Sequence, residues 1–407
     1  MPGQPAQIHL HEQPVRQSRS RVLSERQHLF LYSHRGDDES GLRAVARRLD
    51  PPSCVPAPAA NDLGAHIMKI LAPISSYDEL EMLAESGAEE FYCGIVPREW
   101  TERYTGAVWL NRRSPKGGSL ETFSDMKRLV DHAHRLGIPV FITLNAPYYT
   151  GEQLAWVTEL ARRLDGEAGP DALIVTDINL LLQLSLAGLN AALHVSSVAA
   201  TLNTEAIGFL LQFNPSRIIL PRSLTIPEIE RVVANCRDRV EIEVFMLNDG
   251  CAFEEGFCAT THHHAVGAFC TSLSEMDTEF EASRGRRLTY RQEARLRRNL
   301  SDYREWIWYV NGNGCGATPA GLPYGPCGLC AVHDFQRMGV ASLKIVGREA
   351  SPFKKMASVR MVRDIVDRVR RGSSKLVTIE RARSLRGSYE HCDSGFMCYY
   401  KVDATER

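Results

Sequence analysis

From Met68 onward, short apolar runs alternate with helical patterns in a regular rhythm. "KILAPI" is followed by "SSYDELEMLAESGA", in which Leu80, Leu83 and Ala84 share one helical face, and then by a second apolar run, "EEFYCGI". Ser76 and Glu79 have the spacing of a capping box at the start of that helix, and Gly87 suits its C-terminal cap. The unit is therefore strand–helix–strand. Further runs follow: "PVFITLNA", "DALIVTDI", "ALHVSSVA", "RIILPRS", "VEIEVFML" and, much later, "SLKIVG". Helical stretches such as "FSDMKRLVDHAHRLG" and "TIPEIERVVANC" separate most of them. Near-continuous apolar runs mean strands covered on both faces, as in parallel sheets.

Eight such strands predict an α/β fold of the (β/α)8 TIM-barrel type. A doubly wound open sheet is the alternative, but no glycine-rich phosphate loop follows the first strand. The barrel domain is expected over residues 68–375, with residues 376–407 as a C-terminal tail. One spacing breaks the rhythm. Residues 248–341 separate strands 7 and 8, and this insertion leaves from a strand's C-terminal end, the face where barrel enzymes keep their chemistry. Residues 1–67 are rich in Arg, Ser, Pro, Gln and Ala and carry the linker "DPPSCVPAPAAND". They are expected to be a disordered extension, and Met68, opening directly onto a strand, is an alternative start.

The composition is that of an ordinary globular protein, 44% hydrophobic and 24% charged, with a net charge of −1. That charge neither marks nor excludes a nucleic-acid partner. No apolar stretch is long enough for a transmembrane segment and no signal peptide opens the chain, so a cytoplasmic location is expected. The eleven cysteines change the picture more. An odd number in a chain this long argues against a disulfide framework. Six of them, Cys251, Cys258, Cys270, Cys315, Cys327 and Cys330, lie in the insertion. Thiolates converging from two segments suit zinc or an iron–sulfur cluster. Only Cys327 and Cys330 form a close pair, and the wide spread of the others favours a cluster. Cys54, Cys93 and Cys236 read as inert buried thiols. Cys392 and Cys398, near the end, are weaker candidates for a site. Adjacent His262, His263 and His264 point in different directions and read as an exposed polar loop.

These residues resemble a known family, the collagenase-like proteins of peptidase family U32. The resemblance runs from Met68 to about residue 375. "ILAP" with "GAEEFYCG" is similar to the family's first strand–helix–strand. "LHVSSVAATLN" resembles its His-Ala-Ser-Thr segment at His194, Ser196 and Asn203, with Ser197 in place of Thr. "ILPRSLTIPEI" keeps Arg222 but has Ser223 where Glu is usual. "GCAFEEGFC" keeps a C-x6-C spacing, "GAFC" resembles Arg-Gly-Ser-Cys, and "CGLCAVHDFQRMGVASLKIVGRE" aligns with the family's block ending in Leu-Lys-Ile-Glu-Gly-Arg. The resemblance implies a barrel carrying a [4Fe–4S] cluster on Cys251, Cys258, Cys270 and Cys327, with Cys330 or Cys315 as substitutes for Cys327.

For function, the resemblance implies oxygen-independent, cluster-dependent hydroxylation. The expected substrate is a small aromatic or quinone intermediate, as in the family branch that serves ubiquinone biosynthesis, and the expected partner is a related family member in a heterodimer. Hydroxylation of tRNA or rRNA is the alternative, and the arginines of "SRGRRLTYRQEARLRRNL" would then contact phosphate. A peptidase is less well supported, because neither an HExxH nor a GxSxG motif is present. A scaffold or electron-transfer subunit is a further reading. Barrel geometry nominates Asn145, Asp177, His194, Ser196, Arg222, Asn248 and Arg348 as pocket residues. Arg222 and Arg348 would hold an anion and His194 would move a proton near neutral pH, while Asp177 and Asn145 serve equally well as helix caps.

Overall fold

A computed structural model describes residues 68–104, 110–113, 115–248, 250–251, 256, 262–263, 267–268, 279–282, 287–315, 325–395 and 397–400. Residues 1–67, and with them the expected extension, lie outside the described residues. The chain divides into two units. The larger covers Cys54–Glu275 and Arg304–Arg407; the smaller joins Met1–Ser53 to Met276–Tyr303.

All eight apolar runs are strands of one closed parallel barrel. They are β1 (Lys69–Pro73), β2 (Glu90–Gly94), β3 (Val140–Leu144), β4 (Ala172–Val175), β5 (Ala192–Val195), β6 (Arg217–Ile219), β7 (Glu241–Leu247) and β8 (Ser342–Ile345). Each pairs with its sequence neighbours, and β8 closes on β1 through Lys69 opposite Ser342. Between the barrel wall and the surrounding helices lies one large apolar core. The helix Phe123–Arg135 shows why it forms there: Thr122 caps its start, and Met126, Leu129, Val130 and Ala133 recur on one buried face. Burying each of the larger side chains contributes roughly 1.5–3 kcal/mol. A smaller core fills the barrel itself with Leu71, Tyr92, Phe141, Ile174, Ile219 and Phe245.

The N-terminal end of the barrel is closed by ions rather than by oil. Arg217, at the start of β6, binds Glu90 of β2 with two hydrogen bonds of 2.7 and 2.8 Å. It also reaches Glu241 at 2.7 Å and Glu243 at 3.1 Å. Lys344 holds the other oxygen of Glu243 at 2.8 Å, and Ser342 donates to Glu90 at 2.7 Å. Each buried charge here is paired and hydrogen-bonded, which is the condition for tolerating it inside a barrel.

One expected cap differs. Ser76 caps a short 3-10 turn, Tyr77–Glu79, by accepting from the Asp78 N–H. Glu79 does not complete a capping box on Ser76. It accepts from the Ser75 N–H at 3.0 Å and pairs with buried Lys355 at 2.9 Å. A distant cation outcompetes the local cap for the carboxylate. Gly87 follows the helix Leu80–Glu85 with φ of +105°, as a C-terminal cap requires.

The segment after residue 375 is built into the barrel unit. It forms helices Lys375–Arg386 and Tyr389–Ser394 and then lays Cys398 beside Cys327. Of the long insertion, the described parts include an antiparallel pair of two-residue strands, His262–His263 with Gly267–Ala268, and the helix Tyr290–Cys315. No helix among the described residues is long and apolar enough to cross a membrane.

Candidate functional site

The nominated pocket residues fall at the C-terminal ends of the barrel strands, apart from His194, which lies within β5. Arg348, just past β8, is 3% exposed. Its guanidinium donates to Thr143 Oγ1 at 2.7 Å and to Asn111 Oδ1 at 3.1 Å, both neutral acceptors. Burial lowers its pKa to about 10, so it keeps its charge at neutral pH. Gly94 at the end of β2 makes room for it: a Cβ there would stand 2.2 Å from Arg348 Nη1. Arg222 follows β6 and lays its guanidinium over the Phe245 ring, 4.3 Å from its centre. Arg113 is half-buried in the segment after β2. The three guanidiniums all act on buried Tyr92, whose hydroxyl is nevertheless pushed up to about 12 by burial. The barrel mouth thus gathers three guanidiniums around Tyr92, with the Glu349 carboxylate also acting on Arg348.

Neutral polar groups surround these cations. Asn145 donates to Ser196 Oγ at 3.2 Å. Asn248 sits at φ +68° where the insertion leaves β7, just after a register irregularity between β7 and β8. Its Nδ2 donates to Ser358 at 2.9 Å, while its buried Oδ1 meets no hydrogen-bond donor among the described residues. A non-glycine residue in the left-handed region beside a bulge is a feature that concentrates at functional sites.

Asp177 and His194 take other places than a reaction centre would give them. Both carboxylate oxygens of Asp177 are used by backbone, one capping the helix Ile178–Leu186 through the Leu180 N–H at 2.9 Å, the other accepting from Tyr149 N–H at 3.1 Å. His194 is buried against the edge of Phe141. Burial, reinforced by Arg217 and Lys344, holds its pKa well below the usual range, which favours the neutral ring over the charged one. Its Nδ1 has no hydrogen-bond partner among the described residues. Ser196 bonds to Asn145 and not to His194, so the two form no nucleophile–base pair.

Sequence reasoning missed the support of Arg348 by Asn111, Thr143 and Ser119, because those residues come from separate loops and strands and share no local motif. Nor does a local motif show how the end of the chain packs on the barrel. The strand β7 is prolonged by a short three-stranded patch: Asn248 N–H donates to Pro326 O at 2.8 Å, Gly328 N–H to Met246 O at 2.8 Å, and Cys327 N–H to Met397 O at 2.8 Å. Tyr399 N–H returns to Cys327 O at 3.0 Å, and the Tyr399 hydroxyl donates to the Asn248 carbonyl. Beside this patch lies a cavity of about 40 Å³ bordered by Cys327, Cys330, Cys392 and Cys398. Burial pushes the Cys327 thiol up to about 11, against a Leu329 backbone hydrogen bond that favours its thiolate. Burial, with the neighbouring thiols, pushes Cys330 to about 12.

Of the cysteines nominated for a cluster, Cys327 and its nominated substitute Cys330 border this cavity among the described residues; Cys251 is exposed and is not among the lining residues. Cys258 and Cys270 lie outside the described residues, and Cys315 ends a helix whose side chain there is not described. The donor set at the cavity, four thiols, fits a thiophilic metal centre. Among the described residues no three ligand-type side chains are already gathered at ligating distance, so the thiols would have to turn inward to bind one.

The family model for peptidase family U32 matches residues 75–407. The chain belongs to peptidase family U32. Curated relatives include the tRNA hydroxylation protein P of Haemophilus influenzae, 26% identical over 47% of this chain and 38% of the relative. The Escherichia coli protein of the same name is 29% identical over the same shares. The 23S rRNA 5-hydroxycytidine C2501 synthase of Escherichia coli is 28% identical over 46% of this chain and 28% of the relative. The matched region thus spans well under half the length of these relatives.

Proposed function

We propose that this U32 protein takes part in the hydroxylation of an RNA base, as the hydroxylase or as one subunit of it. The observation that carries the reading is the cationic barrel mouth. Arginine forks bind phosphate oxygens in pairs, and a cluster of three suits a polyanion better than an uncharged quinone, which would call for a mainly apolar pocket. The relatives named for RNA hydroxylation support the same choice, and they shift the balance from the quinone intermediate expected from sequence to RNA.

Within this reading Arg222 and Arg348 hold a phosphate and Arg113 adds charge. Tyr148, 47% exposed in the loop after β3, offers a ring on which an unstacked base can lie. The Asn145–Ser196 pair, already hydrogen-bonded, presents polar atoms to a base edge. On helix Tyr290–Cys315 and just before it, Arg287, Arg291, Arg295, Arg297 and Arg298 are exposed, with Arg297 paired to Glu293. By themselves, in the smaller unit, they offer a separate basic surface to phosphate. A [4Fe–4S] cluster bound through cysteine thiolates would supply the electron transfer that oxygen-independent hydroxylation needs. The peptidase reading gains no nucleophile–base pair at the barrel mouth, where Ser196 bonds to Asn145 rather than to His194.

The test is comparative. RNA from cells with and without the gene is digested to nucleosides and compared by mass spectrometry. A nucleoside that gains one oxygen only when the gene is present is expected. Identical RNA profiles, with a quinone intermediate accumulating instead, would overturn the proposal.

A further inference from the structure

We propose that the outer face of the helix Ile178–Leu186 is a homodimer interface, in which the helix packs across a two-fold axis on its counterpart in a second copy of this chain. The helix follows β4 and reads INLLLQLSL, without one charged residue. Leu180, Leu181 and Leu184 are buried on its inner side. Its outer side is apolar as well. Ile178 is 50% exposed, Leu186 is 60% exposed, and Leu182 between them is partly exposed. A helix that is apolar all round belongs in an interior, yet this one is covered on one side only within the chain. The patch extends onto the next helix, Thr204–Leu210. The 3-10 turn Leu211–Phe213 that ends it packs against Ile178–Leu186, and Phe209, half-exposed, meets Phe213 edge-on with 5.7 Å between ring centres.

The chemistry of the patch selects a second copy as its occupant. The exposed polar residues on the helix, Asn179 and Gln183, are neutral, so two copies meet there without opposing like charges. The net charge of −1 adds no long-range repulsion between them. Charges stand on the helices before and after, Glu159 paired with Arg162 at 3.8 Å on one and Glu205 on the other, as on the polar rim of an interface. The spacing fits a symmetric pairing too. Positions 178, 182 and 186 form an i±4 ridge, and such a ridge packs into the grooves of an identical one at about −50°. The ridge is symmetric about Leu182. A two-fold axis passing there sets Ile178 of each copy against Leu186 of the other. At about half exposure, Ile178, Leu186 and Phe209 offer roughly 250–300 Å² of apolar surface per copy, about a third of the roughly 800 Å² that a standard interface buries on each partner. That share suits an apolar interface core, with the neutral and charged neighbours supplying the rest.

The inference does not rest on the RNA reading, since association is measured without RNA. The full chain is kept reduced, so that its cysteines do not link copies, and its mass is followed by sedimentation equilibrium over about 1–100 µM. A mass of twice the 45.5 kDa chain is expected at the upper end. Ile178→Glu alone and Leu186→Arg alone should each weaken the dimer by about tenfold or more, because each sets a charge against an apolar partner. Carried together in one chain, the two substitutions should recover about tenfold of that loss, because the two-fold axis places each introduced carboxylate opposite the guanidinium of the other copy. Both positions are exposed in the single chain, so the variants should keep the wild-type far-ultraviolet circular dichroism, and the recovery separates a lost interface from a lost fold. A monomer throughout the range overturns the proposal, whether or not a related chain takes that face. A dimer indifferent to both single substitutions overturns it, as does a double variant that associates no more tightly than the single ones.

Discussion

Replacing Arg217 with alanine removes the hub of the ionic floor. Glu90 and Glu243 are both fully buried, and the substitution strips Glu90 of two short bonds and Glu243 of one. Breaking a buried ion pair costs about 3–5 kcal/mol, because the remaining charge is left without compensation. Some compensation survives here, since Lys344 still holds Glu243 at 2.8 Å and Ser342 still holds Glu90 at 2.7 Å. The lower end, about 3 kcal/mol, is therefore expected, a change of roughly a hundredfold in the folding constant. Urea unfolding of Arg217→Ala, Glu90→Gln and the double variant measures it. Neutralising Glu90 in the Arg217→Ala background removes one orphaned charge, so the double variant should recover about 1–2 kcal/mol relative to Arg217→Ala. RNA binding should be unchanged in all three, because the floor lies at the opposite end of the barrel from Arg348. A loss below about 1 kcal/mol, the range of an exposed pair, would refute the reasoning. So would strict additivity of the two substitutions.

Gly94→Ala puts a methyl group 2.2 Å from Arg348 Nη1, so the guanidinium must leave Thr143; overpacking costs about 1–3 kcal/mol and RNA affinity should fall about tenfold, and unchanged affinity would contradict the role given to Arg348. His194 should show no titration of its ring protons by NMR between pH 6 and 8, since its folded pKa lies well below the ordinary 6.5. The unfolded chain takes up a proton there that the folded one refuses, so His194 costs stability as pH falls below about 6.5; a ring that titrates near neutrality would sink this account. Asp364, held by Arg381 first and Arg368 second, has its pKa lowered from 3.8 to about 2. Its contribution is present above about pH 4 and lost as pH falls through about 2, so Asp364→Asn should flatten the acid limb of the unfolding curve across that window.

The barrel was legible because a parallel strand covered on both faces leaves a continuous apolar run, and each of the eight runs became a strand. The positions of Asn145, Arg222, Asn248 and Arg348 were legible for the same reason: they directly follow strand ends, and strand direction is common to the whole barrel. What those side chains touch was not legible. Arg348 is seated by Asn111 and Thr143, distant in sequence, and Glu79 prefers Lys355 to the neighbouring cap that its spacing advertises. The polar floor was hidden for a different reason, since Glu90, Arg217 and Glu243 each look like an ordinary charge beside a strand. That Cys392 and Cys398 lie beside the CxxC pair was not legible, because that pair lies far upstream and only the pairing of Cys398 with Cys327 brings them together.

The most direct test of the central claim is ultraviolet crosslinking of the full chain to cellular RNA, followed by mass spectrometry of the peptide–nucleotide adducts. The account predicts adducts on peptides that line the barrel mouth, those containing Arg113, Tyr148, Arg222 or Arg348, and their loss in Arg222→Ala and Arg348→Ala. Absence of RNA adducts, or adducts confined to surfaces away from the mouth and indifferent to both substitutions, would contradict it.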